Sequence, residues 1–171
     1  MNASNTSQAR KIRYCALRMG SAIMLIATLA APGITRGQSL SFLSGGGPKT
    51  LTINSATAGA QPDQVTDDAS ELSWDVTGIG ATAKITVDTS APGQSFSLFV
   101  SLDLTSGTGT EQAERALVDG MSEADLLRDI PTGTPEGTGI LTYRAAATVA
   151  QGTTADSGSD VHSITYTITA Q

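Results

Sequence analysis

The sequence predicts an all-β protein, an antiparallel β-sandwich of immunoglobulin-like type with seven or eight strands. Three observations carry that expectation. Apolar residues recur at every second position in segment after segment, Gly- and Pro-rich breaks separate the segments, and no strand–helix–strand alternation runs through the chain. A jelly roll or a small barrel would satisfy the same pattern and is the alternative.

Residues 1–37 read as a secretory signal peptide. The head is basic (Arg10, Lys11, Arg13, Arg18), and Met19 to Ala31 is mostly apolar but shorter than the roughly 20 residues a helix needs to cross a bilayer. Small residues follow, and two cuts fit: after residue 37, with Thr35 and Gly37 as the small pair, or after residue 30, with Thr28 and Ala30. The first is preferred, because strand-like alternation starts just beyond it. An uncleaved anchor helix is the competing reading. Five of the ten basic residues and none of the sixteen acidic ones precede Gln38, so loss of residues 1–37 takes the formal charge from −6 to −11. So acidic a body repels nucleic-acid phosphate and anionic lipid, which argues against partners of either kind. The lone cysteine, Cys15, lies in the leader, leaving residues 38–171 no disulfide, thiolate nucleophile or sulfur-ligated metal.

Residues 38–171 form a single domain in this reading. Leu40 and Phe42 alternate with serines in a first strand, and Gly45-Gly46-Gly47-Pro48 interrupts it. Leu51 and Ile53 mark a strand over 49–54, and 55–70 is expected to be a long surface loop. Leu72, Trp74 and Val76 give a strand over 71–77, expected to form a hairpin with the next, carried by Ala83, Ile85 and Val87. The longest uniform signal follows: Phe96, Leu98, Val100, Leu102 and Leu104 share one parity over 94–105. Phe99 falls on the polar face and is expected to cover a loop. Residues 106–112 read as a loop and 116–118 as a short strand.

One short helix is expected near 122–130. Ser122 with Asp125 resembles an opening cap, Ala124, Leu126, Leu127 and Ile130 have helical spacing, and Pro131 closes the segment. The chain then ends in its clearest pair. Leu141, Tyr143, Ala145 and Ala147 share a face over 139–150, as do Ile164, Tyr166, Ile168 and Ala170 over 161–171. With a polar stretch at 151–160 between them, the two read as partners joined by an exposed hairpin loop.

The inventory of chemistry is thin. His162, the only histidine, has the parity of Ile164 and reads as a partly covered strand-end residue; a catalytic role would need a nucleophilic serine, and no G-x-S-x-G turn is present. Gly45 to Thr50 lacks the Gly-Lys pair of a phosphate loop and leads into a strand. Glu111, Glu114, Asp119, Glu123, Asp125 and Asp129 read as a solvated acidic face partly balanced by Arg115 and Arg128. Calcium is the one metal with a case, as a structural ion on Asp156 and Asp160 around Gly158, with Asp67 and Asp68 in a second loop. No other cofactor is expected. The sequence thus points to an exported bacterial protein, extracellular, periplasmic or at the cell surface. It would be structural or adhesive, without catalysis, and able to self-associate by strand addition. The alternative is a module binding a glycan or an extracellular protein through loops 55–70, 105–112 and 151–160.

Overall fold

The computed structural model describes residues 15–22, 38–133, 136–151 and 160–171, the first of these segments by its backbone. Eleven strands make up the secondary structure among the described residues: β1 (Cys15–Ala22), β2 (Ser39–Ser44), β3 (Lys49–Ile53), β4 (Val65–Asp75), β5 (Ala83–Ser90), β6 (Ser97–Ser106), β7 (Thr110–Glu111), β8 (Arg115–Leu117), β9 (Ala124–Ile130), β10 (Gly137–Ala146) and β11 (Val161–Ala170). They form two sheets, ordered β3-β1-β11-β5-β9-β7 and β2-β4-β10-β6-β8. Every pairing is antiparallel except that of β1 with β11. Both sheets remain open, so the protein is a sandwich and not a barrel.

The alternating residues build the interior. Leu72 and Trp74 of β4, Ile85 and Val87 of β5, Leu98, Val100 and Leu102 of β6, and Ile164 and Ile168 of β11 are all buried, while their neighbours in sequence are largely more exposed. The last two long strands do not pair, which corrects the expected hairpin. β10 lies at the middle of one sheet and β11 inside the other, and their apolar faces meet across the core. Tyr143 and Tyr166 join hydroxyl to hydroxyl there at 2.7 Å. Alternation shows which face is dry, and a facing strand dries it as well as an adjacent one does.

The same ambiguity explains the second correction. β4 and β5 lie in opposite sheets, and the link between them carries buried Val76 and Ile79, closed by Ile79 N–H donating to the Val76 carbonyl at 3.1 Å. It is an arch across the sandwich, anchored by apolar side chains that a tight hairpin turn would have no place for. The expected loop over 55–70 is shorter than its composition suggested, because β4 begins at Val65 and pairs there with Ala145. Its polar residues Thr66 and Asp67 extend the ladder along the ten-residue β10. Within 106–112, Thr110 and Glu111 form β7 against β9.

The expected helix is absent: residues 124–130 are β9. Two irregularities in its pairing with β5 account for the misleading spacing. Asp125 and Leu127 lie opposite the adjacent residues Thr86 and Ile85, and Leu127 and Ile130 lie opposite Ile85 and Ala83, so β9 carries an extra residue in each interval. Each bulge shifts the inward parity by one, which buries Leu126, Leu127 and Ile130 together. Asp129, in the second bulge, has a φ of 54° and donates its amide to Gln171 Oε1 at 2.9 Å.

The triple glycine is a fitted turn. Gly45 has a φ of 66°, and a Cβ there would stand 2.4 Å from the Ala69 carbonyl oxygen, so glycine is required on both counts. Ser70 Oγ donates to the Gly45 carbonyl at 3.0 Å and holds the turn against β4.

Candidate functional site

A set of polar side chains gathers at one end of the sandwich, where β5 and β8 end and β6, β9 and β11 begin. Asp160 precedes β11 there, and its Oδ2 accepts the amides of Ser95 and Phe96, each at 2.7 Å. Asp119 Oδ1 accepts the Ala91 amide at 2.7 Å. Gln94 ties the segments together, donating to the Phe96 and Leu117 carbonyls at 2.8 and 2.9 Å and accepting from the Asp119 amide at 3.2 Å. These side chains satisfy backbone groups that the ends of strands leave unpaired.

His162 lies two residues beyond Asp160. Its side chain is fully buried, more deeply than the strand-end position implied. Neither ring nitrogen has a hydrogen-bond partner among the described residues, and neither does the buried Oγ1 of Thr89. Burial holds the imidazole below its ordinary pKa, against the opposing pull of Asp160 and Asp119. The ring is a solvent-shielded group with no nucleophile hydrogen-bonded to it among the described residues.

Of the two calcium candidates, Asp160 is occupied in the cap just described and Asp156 lies outside the described residues. Asp67 and Asp68 sit in β4 and not in a loop; Asp67 Oδ1 takes Lys49 Nζ at 2.5 Å and the Ala69 amide at 3.2 Å. No group of three His, Cys, Asp or Glu side chains placed to hold a metal ion occurs among the described residues.

The six acids expected to cluster as a solvated acidic face around the short helix are dispersed instead along strand edges. Glu111 accepts the Leu104 amide at 2.6 Å. Glu114 forks onto Arg144, whose guanidinium also lies 3.9 Å from the centre of the Phe99 ring. Phe99 therefore supports an arginine and does not cover a loop. The same contact lowers the pKa of Glu114 and raises that of Arg144. Asp125 pairs with Lys84 at 3.0 Å and Arg128 at 3.6 Å, Asp129 accepts from Gln171 Nε2 at 3.1 Å, and Glu123 is exposed. On the outer face, Thr167 and Thr169 of β11 and Lys84, Thr86 and Asp88 of β5 line an open depression of about 450 Å³.

Of the three loops expected to bind a ligand, most of 151–160 lies outside the described residues, and the other two lie at opposite ends of the sandwich. Gln61 Oε1, in the 54–64 connection, accepts the Val149 amide at 2.8 Å at the start of the link to β11, whereas 107–109 follows β6 at the opposite end of the sandwich. What sequence reasoning did not find is the place of β1. The weak alternation of Cys15, Leu17 and Met19 was the available signal, and the leader-like composition around it dominated. In the sheet, Cys15 to Met19 pair with Ile53 to Lys49, and Arg18 to Ala22 pair with Val161 to Thr165. No helix among the described residues is long and apolar enough to cross a membrane.

The fold and these contacts define a two-sheet β-sandwich with its polar side chains engaged mostly in strand-end caps and surface ion pairs. No family model matches the chain, and no curated protein matches it.

Proposed function

We propose that the protein is an exported bacterial structural or adhesive domain, an immunoglobulin-like sandwich that performs no catalysis and self-associates through its sheet edges. The observation that carries this reading is the use made of its polar side chains. Asp160, Asp119, Gln94, Glu111 and Gln171 all serve the backbone at strand ends, and the only histidine is sealed in the interior. The leader composition supports export. The edge strand β2, with Leu43 58% exposed, supports association. Fractionation of a bacterium expressing the whole chain tests the reading. The protein is expected outside the cytoplasm, with a mass lacking the leader. Retention inside, or a mass that still includes residues 1–30, overturns it.

The second reading, binding of a glycan or an extracellular protein, is favoured by the Gln61–Val149 contact, which gathers two long connections at one end. A glycan and protein array distinguishes the two, since a specific ligand held through residues 54–64 and 147–151 would displace the structural reading. A structural calcium ion on Asp156 and Asp160 is compatible with either. Calcium and a chelator should then move the Tm in opposite directions, and an unchanged Tm removes the ion.

A further inference from the structure

We propose that the place of β1 between β3 and β11 is a strand-acceptor slot that, once the leader is removed, takes the segment Ser39–Ser44 of a second copy of this chain. The inference rests on the export reading above. β1 lies wholly within residues 1–37, yet among the described residues it is the only strand paired with β3 and one of two paired with β11. Its removal leaves β3 without a ladder. It also leaves one edge of β11 without a partner strand among the described residues, since Tyr166 to Ala170 already lack one there on that side. Leu51 and Ile53 on one flank and Ile164 on the other are buried side chains that a vacated slot would lay open. Two facing edges one strand apart, above an apolar floor, strongly favour a strand that bonds to both.

The slot specifies its occupant. An incoming strand must present apolar residues at alternate positions, in line with Leu51 and Ile53, and small polar residues on the outer face. Ser39–Ser44 supplies Leu40 and Phe42 for the inner face and Ser39 and Ser41 for the outer one, with Leu43 the single apolar residue facing out, and residues 38–48 carry no charge whereas 49–171 are strongly acidic. Its six residues match the five-residue ladders that β1 makes on either side. β2 is also among the least firmly held strands. It has β4 as its single neighbour, its pairing is broken by a bulge between Phe42 and Ser44, and its burial is partial. Moving into the slot of another copy gives it two ladders in place of one. The contact is head-to-tail, so it propagates into a chain of subunits and does not close as a symmetric dimer.

The test begins with the whole 171-residue chain expressed in a secreting bacterium. The exported protein is characterised by intact mass, by free thiol, which Cys15 alone can supply, and by light scattering across concentration. It is then mixed with a molar excess of a synthetic peptide of residues 38–44, or of the same peptide carrying L40D and F42D. The expected result is a thiol-free protein of subunit multiples that the natural peptide converts to monomers of raised Tm, while the control peptide does nothing. A cut protein that is monomeric throughout, with a Tm neither peptide moves, overturns the slot and leaves export standing. Multimers indifferent to the natural peptide also overturn it, and a cut monomer that binds the peptide overturns the second copy as occupant. An exported protein that keeps residues 15–22 overturns the slot and the cleavage together, and the mass separates that case from the others.

Discussion

Tyr143 and Tyr166 show what a single pair of atoms decides in this interior. Each hydroxyl is the other's partner in the buried interior, where Phe42 packs edge-on against the Tyr166 ring, and burial pushes Tyr143 up to about 12 and Tyr166 well above its ordinary value. Replacing either tyrosine by Phe strands the remaining hydroxyl, at a cost of about 1–3 kcal/mol in urea denaturation. Replacing both should cost less than the sum, because no orphan remains. Raised folded-state values fix the alkaline limb: stability is complete below the unfolded value of 10 and falls as pH rises toward 12. His162 sets the opposite limb. Its folded pKa lies below 6.5, so stability is complete above 6.5 and falls as pH decreases, while the unfolded chain binds a proton that the buried ring resists. His162→Leu should flatten that acid limb and leave stability at pH 8 nearly unchanged, as urea titrations at the two pH values would show.

At the scale of elements, legibility depended on whether a strand's own alternation was regular. β6 and β11 are regular, and their inward residues read directly from the sequence. β9 is not, because its two bulges reproduce the three- and four-residue spacing of a helix, and nothing local distinguishes the two. Among the polar residues, Asp160 and Asp119 were visible as acids but not as caps, since the amides they serve lie 64 and 28 residues away. Close approach of elements was equally hidden. Gly137 opens β10 where a Cβ would stand 2.4 Å from Trp74 Cε2, so Gly137→Ala forces the indole or the strand to shift. A loss of about 1–3 kcal/mol is expected from chemical denaturation, as for overpacking elsewhere. Gly47→Ala is the control, because no atom lies within 4 Å of a Cβ there, and it should stay within about 0.5 kcal/mol of the parent.

At the scale of the whole molecule, the sequence alone determined the class of body: an all-β sandwich, two faces per strand, one apolar interior, and a charge that is strongly negative beyond the basic first 37 residues, though with one helix that the structure replaces by a strand. Those properties follow from residue type and the two-residue period of a strand, and both are local. Tertiary structure decided which strands are neighbours. It set β10 and β11 face to face, sent β4 and β5 to opposite sheets, turned 124–130 into a bulged strand, and seated Cys15–Ala22 between β3 and β11. Pairing is a competition among distant edges that all offer the same backbone donors and acceptors. The winner is fixed by how the side chains of the complete sandwich fill the space between its sheets, and no single segment holds that information.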